Sequence, residues 1–466
     1  MGSALGIIGM GVMGHNLARN FARHGFSLSL FNQRVEKKEE EVANRVIRQF
    51  SELHQAQGFE YLSPFVESLQ VPRIVICMIP AGLPVDQLIG KISPLLTAGD
   101  VLIDGGNSHY KDTERRQQQL GTLGIHYLGT GVSGGEEGAL HGPSIMVGGE
   151  EAAYEKVSIF LEAIAAVDGR GGTCCARVGN GGAGHFVKMV HNGIEYAEMQ
   201  FLAEVYGILR WGQRLSPDEI ANVFEGWLHT KANSYLLSIS KDILRKREGT
   251  GWLVDSILDT AENKGTGGWT TTAAAELGVP IPTIAEALFA RYSSSYKNLR
   301  MQLNEEIPLS GEAVNFTTED LLKAYSLARI SNHQQGFHLI ESASRQMKWD
   351  IPLPSLARIW TNGCIIRSSL MEDLEGIFKR VGHVFLDSSV QSQIKHQAQA
   401  AFVVTGEAIS RNLPVPALAS AIVYLQTMAR GNGNGNFIQA QRDYFGAHGY
   451  QRVDDPERKK NHTQWK

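Results

Sequence analysis

A chain of 466 residues, 43% hydrophobic and 20% charged, is too long for one hydrophobic core, which rarely grows past roughly 250–300 residues, and reads as a globular protein of two or three domains. A formal net charge of −4, with only short basic clusters such as Lys37-Lys38 and Arg458-Lys459-Lys460, excludes a polyanion-binding surface, so no nucleic-acid partner is expected. The four cysteines lack C-x-x-C spacing, no apolar run approaches the roughly 20 residues of a membrane span, and strand-like sequence starts at Leu5; together these read as a cytoplasmic protein with no metal site, membrane partner or signal peptide.

In chain order, the first third alternates short apolar runs with helix-like stretches. The runs are Leu5–Ile8, then residues 27–32 (SLSLFN), 73–79 (RIVICMI), 100–106 (DVLIDGG) and 126–132 (HYLGTGV). Such alternation predicts a parallel sheet flanked by helices. From about Gly181 onward apolar residues recur at helical spacing and strand-like runs almost vanish, which predicts a second domain that is nearly all helix. Within it, residues 201–227 and 337–360 share aromatic, Trp and Pro placement as a faint internal echo. Residues 431–436 (GNGNGN) form a flexible breaker, and the polar segment beyond is expected to be an extended C-terminal tail. The expected division is therefore 1–180, 181–430 and 431–466.

Gly9, Gly11 and Gly14 form G-x-G-x-x-G directly after the first strand-like run and before an apparent helix. In that setting the first glycine makes the tight turn, the second admits a pyrophosphate to backbone N–H groups, and the third lets helix and strand touch. At the end of the second run an Asp or Glu would bind a free ribose hydroxyl and repel a 2′-phosphate. The chain has Asn32-Gln33-Arg34 there, followed by Lys37 and Lys38, which favours NADP.

Residues 184–196 (GHFVKMVHNGIEY) carry the sharpest chemical signal. On a helix, Lys188, His191, Asn192 and Glu195 fall at i, i+3, i+4 and i+7 and share one narrow stripe. The remaining faces are apolar, with Phe186, Val187, Met189, Val190 and Ile194, so the helix suits a cleft wall rather than a solvated surface. Asp104 to Ser108 (DGGNS) and Ser133-Gly134-Gly135 each follow a strand, where ligands of open parallel sheets gather, although each also reads as a plain turn. Lys264-Gly265-Thr266-Gly267 and Arg291 offer cations and a hydroxyl beside permissive backbone, the ingredients of a phosphate pocket or of an ordinary glycine-rich turn.

Taken together, the glycine loop, IDGGNSHYKDTERR, GVSGGEEGALHGPSIM, GHFVKMVHNGIEY, NKGTGGWT, GCIIRS and IQAQRDYFGAH, in that order, resemble the 6-phosphogluconate dehydrogenase family, a decarboxylating branch of the β-hydroxyacid dehydrogenases. The resemblance implies an α/β Rossmann-type coenzyme domain, a large all-α domain, and a tail that reaches the partner subunit of a homodimer. It implies an enzyme of the pentose phosphate pathway and of gluconate utilisation that oxidises and decarboxylates 6-phosphogluconate with NADP. Lys188 would be the general base and Glu195 the general acid. Gly9, Gly11, Met13, Gly14, Asn32, Gln33, Arg34 and Asn107 would hold NADP. Asn107, Ser133, Gly134, Gly135, His191 and Asn192 would hold the sugar-acid carboxylate and hydroxyls. Tyr196, Lys264, Thr266 and Arg291 would hold the phosphate, joined by Arg442 and His448 from the partner subunit's tail.

The chain departs from the family pattern in places. Gly11 stands for a usual Ala, Asn32-Gln33-Arg34 for Asn-Arg-Thr, and Pro80 and Gly268 for lysines, while GNGNGN replaces a stiffer stretch. Two rival readings remain: a non-decarboxylating β-hydroxyacid dehydrogenase acting on an unphosphorylated acid, and a silent NADP-binding regulatory dimer.

Overall fold

The structure, a computed structural model, describes residues 2–262 and 265–465, Thr266 by its backbone alone. The five expected runs all form strands: Leu5–Ile8 (β1), Leu28–Phe31 (β2), Ile74–Cys77 (β4), Val101–Asp104 (β5) and His126–Ser133 (β6). Three strands not anticipated join them: Gln57–Phe59 (β3), Ser144–Gly148 (β7) and Cys175–Gly179 (β8). Strand β3 is only three residues long and carries a glycine, and β8 carries Arg177, so neither has the unbroken apolar run of a strand buried on both faces.

The eight strands lie in the order β3-β2-β1-β4-β5-β6-β7-β8. From β3 to β6 all neighbours are parallel, β7 runs antiparallel to β6, and β8 is parallel to β7. The strand order reverses between β1 and β4, and ligands of such sheets bind outside the strand ends at that switch point. Leu5, Ile7, Leu30, Val101 and Leu128 are fully buried within a sheet covered on both faces.

Beyond β8 the elements among the described residues are helices, apart from one hairpin of two-residue strands. Two long helices dominate, Ala183–Gly207 of 25 residues and Thr318–Met347 of 30, and they cross each other in the middle of this region. The second starts at a capping box, Thr317 with Asp320, which satisfies backbone N–H groups that a helix start leaves open. The internal echo has a structural counterpart. In each copy a long helix ends, the chain turns, and a short helix with proline in its first turn follows, Pro217–Leu228 and Leu353–Ile359. All four cysteines are free and buried, so Cys174 and Cys175 serve in packing. No helix among the described residues is long and apolar enough to cross a membrane.

Glycines dock the first long helix onto the sheet. A Cβ on Gly184 would lie 2.2 Å from the Gly129 carbonyl oxygen, one on Gly148 2.3 Å from the Gly184 nitrogen, and one on Gly131 2.5 Å from Lys188 Cβ. Only bare backbone permits that approach, and it places the polar stripe of the helix at the end of β6.

The tail departs from the expected extended chain. The helix Gly435–Gly446 begins inside GNGNGN, because the residues after Asn436 are helix formers and glycine at a helix start is tolerated. The chain beyond folds back on it. The buried Asp443 carboxylate accepts from the Gly449 nitrogen, His462, the Thr463 nitrogen and Trp465 Nε1, and Tyr450 pairs with Asn461.

Candidate active site

The glycine turn lies at the switch point of the sheet. Gly9 has φ +93°, and a Cβ there would meet the Met78 carbonyl oxygen at 2.4 Å; one on Gly14 would meet the Gly9 carbonyl oxygen at 1.8 Å. Gly11 faces open space, so the alanine usual in the family would fit as well. The helix Val12–Arg23 starts at once, with no side-chain cap on its first N–H groups. An open cradle with bare helix N–H groups fits a pyrophosphate, and these residues therefore fit a dinucleotide. Met13 rests half-buried behind the turn. Asn32 accepts from the Met10 nitrogen at 3.1 Å, which ties the end of β2 to the glycine turn, while Gln33 and Arg34 are exposed beyond it.

Lys188, His191, Asn192 and Glu195 form the stripe that the spacing predicts, buried at Lys188 and His191 and half-buried at Asn192 and Glu195. Lys188 is 8% exposed, His191 is fully enclosed, and the Glu195 side chain is 21% exposed. His191 Nε2 lies 3.3 Å from Ser133 Oγ at the end of β6, and its Nδ1 lies 3.3 Å from Asn192 Oδ1 and 3.8 Å from Glu195 Oε2. Ser133, His191, Asn192 and Glu195 are thus one linked group, with Lys188 one turn before His191. Burial pulls the Lys188 amine below its ordinary 10.5 against the opposing field of Glu195. Burial, helped by the Lys188 charge, pulls His191 well below 6.5 and keeps the imidazole neutral.

Gly134, at φ +119°, and Gly135, at φ +63°, turn the chain from β6 into the helix Gly135–His141. A Cβ on Gly134 would strike the Gly363 carbonyl oxygen at 2.6 Å, so this turn is wedged against the GCIIRS segment. After β5, Asn107 is exposed while its loop is held from beneath. The Asp104 carboxylate accepts from Ser108 at 2.6 Å, Tyr127 at 2.7 Å and the Gly106 nitrogen at 3.1 Å. His185 Nε2 lies 3.1 Å from the Asp104 carbonyl oxygen and its Nδ1 2.6 Å from Thr113 Oγ1, linking this loop to the start of the long helix. Sequence reasoning missed this support. His185 falls on the apolar side of its helix, and only its place just before the stripe signals a role.

Tyr196 continues the stripe toward a cationic corner. The Arg291 guanidinium stacks 3.5 Å over the Tyr196 ring, and burial holds its pKa below the ordinary 12.5. Gly267, in the first turn of the helix Thr266–Leu277, lies so close that a Cβ would meet the Tyr196 ring at 2.9 Å. That helix packs against the start of the helix that follows the DGGNS loop, through His109 against Trp269 and a Lys111–Glu276 ion pair of 2.7 Å. The structure thus gathers Lys188, Ser133, His191, Asn192, Glu195, Tyr196 and Arg291 along one line. Lys264 lies outside the described residues, and Thr266 is described by backbone alone, at the start of that same helix. Arg442 and His448 sit on the tail, where Arg442 pairs with Gln439 and the His448 ring lies against Phe445, apart from this line.

With this geometry in view, the comparisons are specific. A family model described as the NAD binding domain of 6-phosphogluconate dehydrogenase matches residues 4–179, and one described as the 6-phosphogluconate dehydrogenase C-terminal domain matches residues 184–465. The chain is 43% identical over 464 residues to a decarboxylating 6-phosphogluconate dehydrogenase of Lactococcus lactis subsp. lactis, covering 96% of each. It is 42% identical over 476 residues to the NADP(+)-dependent, decarboxylating 6-phosphogluconate dehydrogenase of Bacillus subtilis, covering 99% of this chain and 98% of that one. A solved structure of Plasmodium falciparum 6-phosphogluconate dehydrogenase, described as apo and in complex with NADP+ and with 6-phosphogluconate, superposes with a TM-score of 0.94 at 35% identity, over 99% of this chain and 100% of that one. The chain belongs to the 6-phosphogluconate dehydrogenase family.

Proposed function

We propose that this protein oxidatively decarboxylates 6-phospho-D-gluconate to D-ribulose 5-phosphate and CO2 while NADP is reduced to NADPH. The observation that carries the reading is the buried stripe, in which an amine with a depressed pKa and a carboxyl group face one cleft beside a dinucleotide cradle. A free lysine, with pKa about 10.4, is almost never neutral at pH 7, and burial of Lys188 makes the uncharged base available. Lys188 takes the proton of the carbon-3 hydroxyl while the bound cofactor supplies the hydride acceptor. The 3-keto acid so formed loses CO2 because its carbonyl accepts the electron pair of the broken bond. Protonated Lys188 then donates a hydrogen bond to the enolate oxygen, and Glu195 delivers a proton to the carbon that lost CO2, carbon 2 of the sugar acid and carbon 1 of the product.

Ser133, Gly134, Gly135, His191, Asn192 and Asn107 position the sugar acid, and Tyr196, Lys264, Thr266 and Arg291 hold its phosphate. A neutral His191, linked to Ser133 and Asn192, can orient hydroxyls without adding charge beside Lys188. Arg442 and His448 complete the phosphate site of the partner subunit in a homodimer, consistent with a tail whose Phe437, Ile438 and Phe445 stand exposed. In this reading residues 1–180 bind the cofactor, 181–430 bind substrate and pair the subunits, 431–466 reach across, and the enzyme works in the cytoplasm.

Initial rates with 6-phosphogluconate and with gluconate, each with NADP, test the reading. NADPH and CO2 should form in equal amounts from the phosphorylated acid, with little turnover of gluconate. Equal rates on the two acids, or NADPH without CO2, would refute it.

A further inference from the structure

The end of β2 is where this chain departs from its family, and the structure shows what the departure does. Asn32 stands directly after β2, where an acid marks an NAD site. The next residues form a tight turn in which the Val35 nitrogen donates to the Glu39 carbonyl oxygen and the Glu39 nitrogen to that of Val35, each at 2.8 Å, with Lys37 at φ 61°. The turn brings two carboxylates back over the site. Asn32 Nδ2 donates to Glu39 Oε2 at 2.9 Å, and Arg34 Nη2 donates to Glu40 Oε1 at 3.0 Å. A position that lacks an acid in sequence thus has one in space.

The two acids act in opposite ways on the two cofactors. Arg34 is the guanidinium closest in sequence to the expected 2′-phosphate, and Glu40 already holds its Nη2 group. Binding of a 2′-phosphate through that nitrogen breaks the pair. The Arg34 and Glu40 side chains are 46% and 43% exposed, so the pair is worth only a factor of about two to five in binding. Glu39, seated on Asn32, is placed to accept the free 2′-hydroxyl of NAD, and its charge disfavours a phosphate there.

We propose that this acidic turn sets cofactor choice: Glu40 competes with the 2′-phosphate of NADP for Arg34, while Glu39 replaces the missing β2 acid and lets the enzyme bind NAD as well as NADP. The inference rests on the proposed NADP-dependent function and narrows it to a protein of modest cofactor discrimination.

Calorimetric titration of the full-length protein with NADP and with NAD, without sugar acid, tests it. Glu40→Gln should tighten NADP about two- to fivefold and leave NAD within about twofold. Arg34→Gln should weaken NADP about tenfold and leave NAD within about twofold, and adding Glu40→Gln to it should change neither cofactor further. Glu39→Gln should weaken NAD about threefold and not NADP. Glu36→Gln removes the same charge from the turn and should leave both affinities within twofold. Equal tightening of NADP by Glu36→Gln and Glu40→Gln, or an undiminished effect of Glu40→Gln without Arg34, would overturn the inference while leaving the dehydrogenase reading intact. Failure of the wild-type protein to bind either dinucleotide would instead overturn that reading.

Discussion

Glu204 lies on the same helix as Lys188 and Glu195, at 4% exposure, and its substitution by glutamine should remove one group's effect of pH on stability. The helix Pro416–Met428 has no side-chain cap of its own, and Glu204 supplies one from outside, accepting from the Ala417 nitrogen at 2.9 Å and the Leu418 nitrogen at 2.8 Å. Burial pushes its pKa from 4.5 up to about 7 although these N–H groups and Gln200 pull it down. That difference corresponds to about 3 kcal/mol between the protonated and ionised forms in the fold. Because folding raises this pKa, the folded chain holds the proton more tightly than the unfolded one. The stabilisation is complete below pH 4.5 and is lost as pH rises through about 7. Glutamine keeps the shape and never ionises, but with one oxygen it gives up one backbone bond, a loss of about 1 kcal/mol at every pH. The wild type should therefore be more stable by about 1 kcal/mol below pH 4.5, and Glu204→Gln more stable by roughly 2 kcal/mol near pH 8. Urea unfolding of both proteins across this range gives the difference directly, since other titrating groups cancel. Parallel stability curves for the two proteins would refute the assignment of a strained buried carboxylate.

Three further outcomes are expected. The rate constant kcat/KM should rise with pH through a pKa displaced downward from 10.5, and Lys188→Ala should lower NADPH formation by roughly 10²–10⁴-fold, measured by absorbance in initial-rate assays. Gly131→Ala places a Cβ 2.5 Å from Lys188 Cβ, so it should cost about 1–3 kcal/mol of stability and reduce kcat more than it raises KM, as melting and kinetics will show. Truncation after Arg430 should raise KM for 6-phosphogluconate and weaken subunit association in sedimentation experiments; an unchanged KM would remove Arg442 and His448 from the phosphate site.

The fold was legible where one physical cause dominated. Strands β1, β2, β4, β5 and β6 are buried on both faces, so each reads as an apolar run, and the helical half announces itself by spacing alone. Strand β7 is as buried as these, but its apolar residues, Ile145, Met146 and Val147, are only three between Ser144 and Gly148, a run too short to stand out in a glycine-rich stretch. The tail helix escaped because glycines at a helix start look like a breaker when only composition is visible.

The stripe was legible for the same reason as the strands, because a helical period of polar residues among apolar ones has one geometric solution. What the sequence leaves hidden is the second layer. Asp104, His185 and Thr113 are far apart in the chain, and their link appears only once Gly129 and Gly184 let β6 and the helix touch. The turn after β2 is the sharper case. Read along the chain, the missing acid after β2 and the nearby Arg34, Lys37 and Lys38 indicate a phosphate, with Glu36 and Glu39 to Glu41 offsetting part of their charge; folded, Glu39 and Glu40 lie on Asn32 and Arg34 and compete for the same contacts. Charge counted by sequence position and charge placed in space lead to different expected margins of NADP over NAD, and affinity follows the second because an ionic contact weakens with distance and not with residue number.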